Sequence, residues 1–234
     1  MRNILQIMLI LTSVNMMAQL PTQLLKPTEK TTIFESYVGT IYAHKEYLNS
    51  SIIDEKTGTY NALLRYNIFS DVIEYENASN LYEITKTPTT HVRIGEDYFY
   101  FCQFKNERGF NKEGYYVLIE LNDNYRIYKK YDLEITEAKE MDGNHGSSQV
   151  GKIQIVESYF FEENGIIIEL PDNKKELVAV FSDKEEELKE YVKNEKIKPR
   201  KQEDLIKFVA KYNALKNLEI NQPQSLLSNR VQNN

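Results

Sequence analysis

The chain has no tryptophan and one cysteine, Cys102, among 234 residues. A lone thiol excludes an intramolecular disulfide, so the fold rests on packing rather than on covalent staples. Cys102 sits in the aromatic run Tyr98-Phe99-Tyr100-Phe101-Cys102-Gln103-Phe104. A reactive thiolate needs a base and an electropositive setting nearby. The run supplies neither, and a buried, space-filling thiol is expected. Histidine is also scarce. His44, His91 and His145 are far apart, and none is spaced three or four residues from another. GxSxG, P-loop, HExxH and CxxC motifs are absent. No catalytic, cofactor-binding or metal-ligating residue is therefore assigned. Carboxylates are plentiful, but the acid pair of a glycosidase is defined by its separation in space, which spacing along the chain does not give.

Long apolar runs are missing as well, apart from one at the start. Arg2 is the only charge before Lys26, and residues 4–14 form an apolar stretch interrupted by Gln6, Thr12 and Ser13. Asn15, Met16, Met17 and Ala18 precede Gln19. A basic start, an apolar stretch of roughly 7 to 15 residues and a small residue at the cut is the order of an export signal. The stretch is short of the roughly 20 apolar residues that span a bilayer. Residues 1–18 are expected to be removed, and the absence of a cysteine at the cut excludes lipid attachment there. A mature chain from Gln19 would have 216 residues, enough for a sizeable core. Its balance of 28 basic against 35 acidic residues argues against nucleic acid or an anionic membrane as partner. No later segment is apolar enough to span a membrane.

What is present is strand pattern. Residues 19–32, with Pro21 and Pro27, read as a flexible lead-in. From about 33 to 169, short β-prone stretches alternate with polar turns. Residues 54–58 read as a hairpin loop ending in Gly58, residues 77–80 as a turn, and Asn164-Gly165 as a two-residue hairpin turn. Neighbouring strands joined by short turns pair antiparallel, and no helical stretch lies between them to support a parallel sheet. Residues 138–151 read as a polar connecting loop.

The character changes after Pro171. Asp172 is placed to cap a first helix carrying Leu177, Val178, Val180 and Phe181. Ser182-Asp183-Lys184-Glu185 matches a capping box for a second helix with Leu188, Tyr191 and Val192 on one stripe. A third helix over about 202–216 repeats Leu205, Phe208, Val209, Tyr212 and Leu215 at helical spacing. Residues 219–234 show no pattern and read as a frayed tail.

Seventeen tyrosines stand out. Tyr60, Tyr66, Tyr98, Tyr100, Tyr115, Tyr116, Tyr125, Tyr128 and Tyr131 crowd the strands. They are either a platform for sugar rings or an extended peptide, or ordinary strand residues with a polar tip. Lys196, Lys198, Arg200 and Lys201 cluster between the last two helices, as a solvated linker or a site for an acidic partner.

Several stretches resemble uncharacterised exported proteins of Bacteroidota. They are Leu64-Arg65-Tyr66-Asn67 followed by Asp71-Val72-Ile73-Glu74, then Gly114-Tyr115-Tyr116-Val117-Leu118, Tyr128-Lys129-Lys130-Tyr131, and Asp204-Leu205-Ile206 with Tyr212-Asn213. The signal ending Ala18-Gln19 is similar to theirs. The resemblance implies a β-rich body with a helical end and a periplasmic or secreted location, and it carries over no activity and no functional residue.

The reading is an α+β fold: an antiparallel β-meander of about eight to ten strands, barrel- or sandwich-like, followed by two or three helices. Residues 33–218 form one cooperative domain, with the helices at 172–217. The expected function is that of a non-enzymatic envelope or secreted protein that binds another protein or an extracellular ligand, without a cofactor. Two alternatives stay open: a carbohydrate-active or other hydrolase with a spatially assembled carboxylate pair, and a carrier of a small apolar ligand.

Overall fold

The structure, a computed structural model, describes residues 20–138 and 150–220, with side chains described through residue 217. The export signal, most of the polar loop with His145, and the tail beyond residue 220 lie outside the described residues.

Eleven strands run β1 (Leu25–Pro27), β2 (Leu48–Asp54), β3 (Gly58–Asn67), β4 (Val72–Asn77), β5 (Asn80–Ile84), β6 (Thr90–Ile94), β7 (Asp97–Asn106), β8 (Asn111–Leu121), β9 (Arg126–Thr136), β10 (Lys152–Glu163) and β11 (Ile166–Leu170). Helices α1 (Lys174–Val180), α2 (Glu185–Asn194) and α3 (Gln202–Ile220) follow. The strand order is β1-β5-β4-β3-β2-β6-β7-β11-β10-β9-β8, with a further pairing of β7 with β8. This is the mostly antiparallel meander with C-terminal helices that the sequence predicts. The parallel exception is β11 on β7, through Ile166 opposite Lys105 and Ile167 opposite Asn106.

Turn chemistry sets the hairpins. Ala78 and Ser79, at φ 48° and 70°, and Asn164 and Gly165, at φ 55° and 80°, adopt the left-handed backbone of tight two-residue hairpin turns. The Asp54 carboxylate accepts from the Lys56 and Thr57 amides at 3.2 and 2.8 Å, closing the loop between β2 and β3.

The chain divides into two compact units. In their described parts, the first comprises residues 20–102, 114–116, 131–138 and 150–156, and the second residues 103–113, 117–130 and 157–220.

In the first unit, β1-β5-β4-β3-β2-β6-β7 are antiparallel neighbours. Alternation along β3 sends Leu64 and Tyr66 to one face, where both are buried, and Arg65 to the other. Register joins Ile52 to Val92 and Val92 to Phe99, all on the buried face with Ile73, Ile84 and Ile94.

Two parts of this unit differ from the sequence reading. Residues 19–32 were expected to be a lead-in, yet Thr22–Leu24 form a 3-10 turn, β1 pairs with β5, and Leu20 and Leu24 are buried. Residues from about 33 were expected to begin the run of strands, but residues 28–47 form an irregular strap that touches strands only locally. The Val38 amide donates to Gly151 O at 2.9 Å, and the Ala43 amide to Tyr66 O at 3.1 Å. Gly39, at φ 120°, brings the strap so close to Ile153 that a Cβ would collide with the Ile153 carbonyl. Such a path cannot be a regular strand.

In the second unit, β11 pairs antiparallel with the end of β10 and parallel with β7 at Lys105 and Asn106, and the end of β8 pairs antiparallel with the start of β9. Leu177 and Val178 of α1, Leu188 and Val192 of α2, and Leu205, Phe208, Val209 and Tyr212 of α3 bury against Tyr125, Ile127, Phe161 and Leu170. These are the helical stripes read from the sequence. Their caps differ. Asn173, not Asp172, caps α1, accepting from the Lys175 and Glu176 amides at 2.9 and 3.4 Å. Asp172 instead accepts from Arg200 Nε at 2.9 Å. The capping box at Ser182 does not form. Ser182–Lys184 is itself a 3-10 turn, and Lys184, at the N-cap of α2, makes no side-chain cap bond. Among the described residues no helix is long and apolar enough to cross a membrane.

Candidate functional site

Two polar constellations and one groove arise in the first unit. The first constellation follows from the hairpin of β3 and β4, which sets Arg65 opposite Glu74. Glu74 is fully buried, and Arg65 Nη2 donates to its Oε2 at 2.7 Å. Asn67 Nδ2 donates to Glu74 Oε1 at 2.8 Å. The strap supplies two tyrosines that enclose the guanidinium, with ring centroids 3.5 Å (Tyr42) and 4.3 Å (Tyr47) from Arg65 Cζ. Burial, the largest cause, pushes the Tyr47 phenol up to about 12. The guanidinium is neutralised by Glu74 and stacked on both rings, which fits it to hold the strap rather than to receive an anion.

The second constellation centres on Asp71, whose backbone has φ 53°. Its carboxylate accepts from the Tyr66 hydroxyl at 2.7 Å, the Tyr115 amide at 3.1 Å and Lys86 Nζ at 2.8 Å. Burial, aided by the Asp71 charge, raises the Tyr66 and Tyr115 phenols far above their ordinary value. These hydroxyls therefore stay protonated and act as donors or packing groups, not as bases.

The groove lies at the edge of the sheet. It holds about 400 Å³, is half open to solvent, and is lined by Leu20, Thr22, Leu25, Pro27, Tyr75, Asn77 and Tyr82. Register builds its floor: Pro27 lies opposite Tyr82, and Tyr82 opposite Tyr75, across three strands. The two tyrosine rings are 6.3 Å apart and tilted by 36°. Leu20 and Thr22, just before and at the start of the 3-10 turn, complete the lining. Alternation sends the intervening charges away: Lys26 and Glu83 point to the other face and bond each other at 2.8 Å. The lining is thus uncharged, with aromatic and aliphatic walls and a hydroxyl and an amide at the rim.

The residues singled out in the sequence do not assemble into a site. Cys102 is only half buried, and its thiol lies 3.6 Å from Tyr100 O. His91 stacks on Tyr100 with ring centroids 4.8 Å apart, and burial lowers its pKa. His44 is half exposed elsewhere on the strap, and His145 lies outside the described residues. Among the described residues no group of three or more His, Cys, Asp or Glu side chains is placed to hold a metal ion. Of the nine strand tyrosines, Tyr66, Tyr115, Tyr116, Tyr125 and Tyr128 are buried, so these five form no platform. In the basic cluster, Arg200 is paired with Asp172, and the Lys198 amide donates to Asp204 Oδ2 at 3.0 Å.

Sequence reasoning missed Tyr75 and Tyr82 as a pair. The signal was available: they flank the turn at 78–79 symmetrically, so a tight hairpin must set them side by side. The contribution of Leu20 and Thr22 had no such signal.

No family model matches the chain, and comparison with curated proteins and with solved structures gives no match.

Proposed function

We propose that the chain is a non-enzymatic exported protein that binds an extracellular ligand in the groove at Tyr75 and Tyr82. The observation that carries this reading is the groove itself: a concave, uncharged cleft with two tyrosine rings on its floor and hydrogen-bonding groups at its rim. Among the described residues no carboxylate or histidine lines it, so it favours binding over the acid pair of a hydrolase. The order of polarity in residues 1–18 supports removal of that segment and a periplasmic or secreted location, as does the resemblance to exported proteins of Bacteroidota. A cut after Ala18 makes Leu20 the second residue of the mature chain, and its buried side chain then forms part of the groove.

Two measurements test the reading. Mass spectrometry of the native protein is expected to find Gln19 at its N-terminus, in an envelope or extracellular fraction. Met1 retained in the cytosol removes the location. Ligand screening by NMR is expected to perturb the signals of Tyr75, Asn77 and Tyr82 without consuming the ligand. Hydrolysis that is abolished by replacing a single carboxylate or histidine overturns the non-enzymatic reading.

A further inference from the structure

The chemistry of the groove points to one ligand class, and we propose that it takes a neutral saccharide; this rests on the binding reading above. Tyr75 and Tyr82 both line the groove, with ring centroids 6.3 Å apart and planes tilted by 36°, a pair wide enough for a pyranose ring to lie across with its C–H face on the aromatic row. Pro27, opposite Tyr82 in the register, extends the same flat apolar row. Saccharides pair such a face with hydroxyl groups around their edge, and the groove offers matching partners. The Asn77 amide both donates and accepts, and so does the Thr22 hydroxyl; both residues are exposed at the rim.

Charge selects further. None of the seven lining residues is ionisable near neutral pH, and the neighbouring Lys26 and Glu83 pair with each other on the opposite face. An anionic sugar or an acidic peptide would find no side-chain countercharge in the lining, whereas a neutral ring loses none by entering. The volume of about 400 Å³ falls within the range of small-molecule clefts, which run from about 300 to 1,000 Å³. The half-open mouth accommodates a chain end, which suits an oligosaccharide better than an enclosed apolar ligand.

The test titrates the purified protein with neutral disaccharides of glucose and of N-acetylglucosamine, with a glucuronate-containing disaccharide, and with uncharged tripeptides, read by NMR and calorimetry. At least one neutral disaccharide is expected to bind and to move the Tyr75, Asn77 and Tyr82 signals, with the glucuronate analogue weaker. Tyr75→Ala and Tyr82→Ala are each expected to weaken binding about tenfold, while Tyr75→Phe and Tyr82→Phe, which keep the ring, leave it within about threefold. Thr22→Arg changes an exposed side chain and fills the groove, so it should abolish binding with an unchanged circular dichroism spectrum. Tripeptide binding that moves the groove signals, with no saccharide bound, overturns the saccharide assignment and leaves the binding reading standing. Saccharide binding that survives Thr22→Arg also overturns the assignment. If no ligand of any class moves the groove signals, both fall.

Discussion

The two units differ in the balance of polar and apolar side chains they bury. In the first, carboxylates and amides go inside with their partners. Glu74, Asn67, Asp54 and Thr90 are all buried, and each accepts or donates a named hydrogen bond. In the second, fourteen buried apolar and aromatic residues from three helices, three strands and the loops between them form one cluster, and Lys129, Glu162 and Lys184 are buried as well. The reason lies in what covers each sheet. A helix satisfies its own backbone, so it can cover strands with an apolar stripe alone. The strap at 28–47 lacks that internal pairing, and it is held by the Arg65–Glu74 pair, the Asn67 amide and two tyrosine rings. An irregular cover needs directional bonds, and a helical one needs volume.

Replacing Glu74 tests the first half of this contrast. Glu74→Ala leaves the Arg65 charge buried without its counterion, and the expected loss is about 3–5 kcal/mol by chemical denaturation. Glu74→Gln should cost nearly as much, because shape is kept and charge is lost. Arg65→Met combined with Glu74→Leu should recover at least half of the loss. A tolerated Glu74→Ala would break the contrast.

Phe208, fully buried in the helical cluster, tests the second half. Phe208→Ala is expected to cost about 3–5 kcal/mol through the cavity it leaves. Phe208→Leu keeps most of the volume and should cost about 1.5 kcal/mol or less. A near-isostere is therefore tolerated in the second unit and not at Glu74 in the first.

Helix caps give a smaller effect. Asn173→Ala removes two amide contacts at the start of α1, and about 1 kcal/mol is expected. Ser182→Ala should change stability by less than about 0.5 kcal/mol, because Ser182 makes no cap bond. Thermal melts of the two variants separate the sequence motif from the structure that replaced it.

The smallest effects appear only at the extremes of pH. In the first unit the Thr57 hydroxyl, then that of Thr90, holds the Asp54 carboxyl below its ordinary value of 3.8. A depressed carboxyl stabilises the fold fully above the ordinary value and loses that contribution as pH falls through the folded one. Asp54→Asn should flatten the acid limb of a stability profile below pH 3.8. In the second unit, burial first and the Asp183 charge next push the Tyr212 phenol up to about 12. The folded state keeps this phenol neutral, so its contribution is complete below the ordinary value of 10.0 and lost as pH rises toward 12. Tyr212→Phe should flatten the alkaline limb instead. Identical profiles for both variants would contradict the difference in burial.

Local rules made much of this fold legible. Turn residues gave the hairpins at 54–58, 77–80 and 164–165, and apolar spacing gave the inward faces of all three helices. β2 was harder to read, because Asn49, Ser50 and Ser51 interrupt its apolar pattern; its place between β3 and β6 comes from pairing on both sides. The Arg65–Glu74 pair was half legible: opposite charges stand symmetrically about the turn at 68–71, but nothing local announces that a strap will bury them.

Sequence alone therefore determined the class of the protein: short strands, tight turns and amphipathic helices, because turn geometry and side-chain periodicity act over a few residues. Tertiary structure decided the strap, the closing of β11 onto β7, and the groove where Leu20 meets Tyr75. Each depends on contacts between residues far apart in the chain, and such contacts leave no period or motif to read.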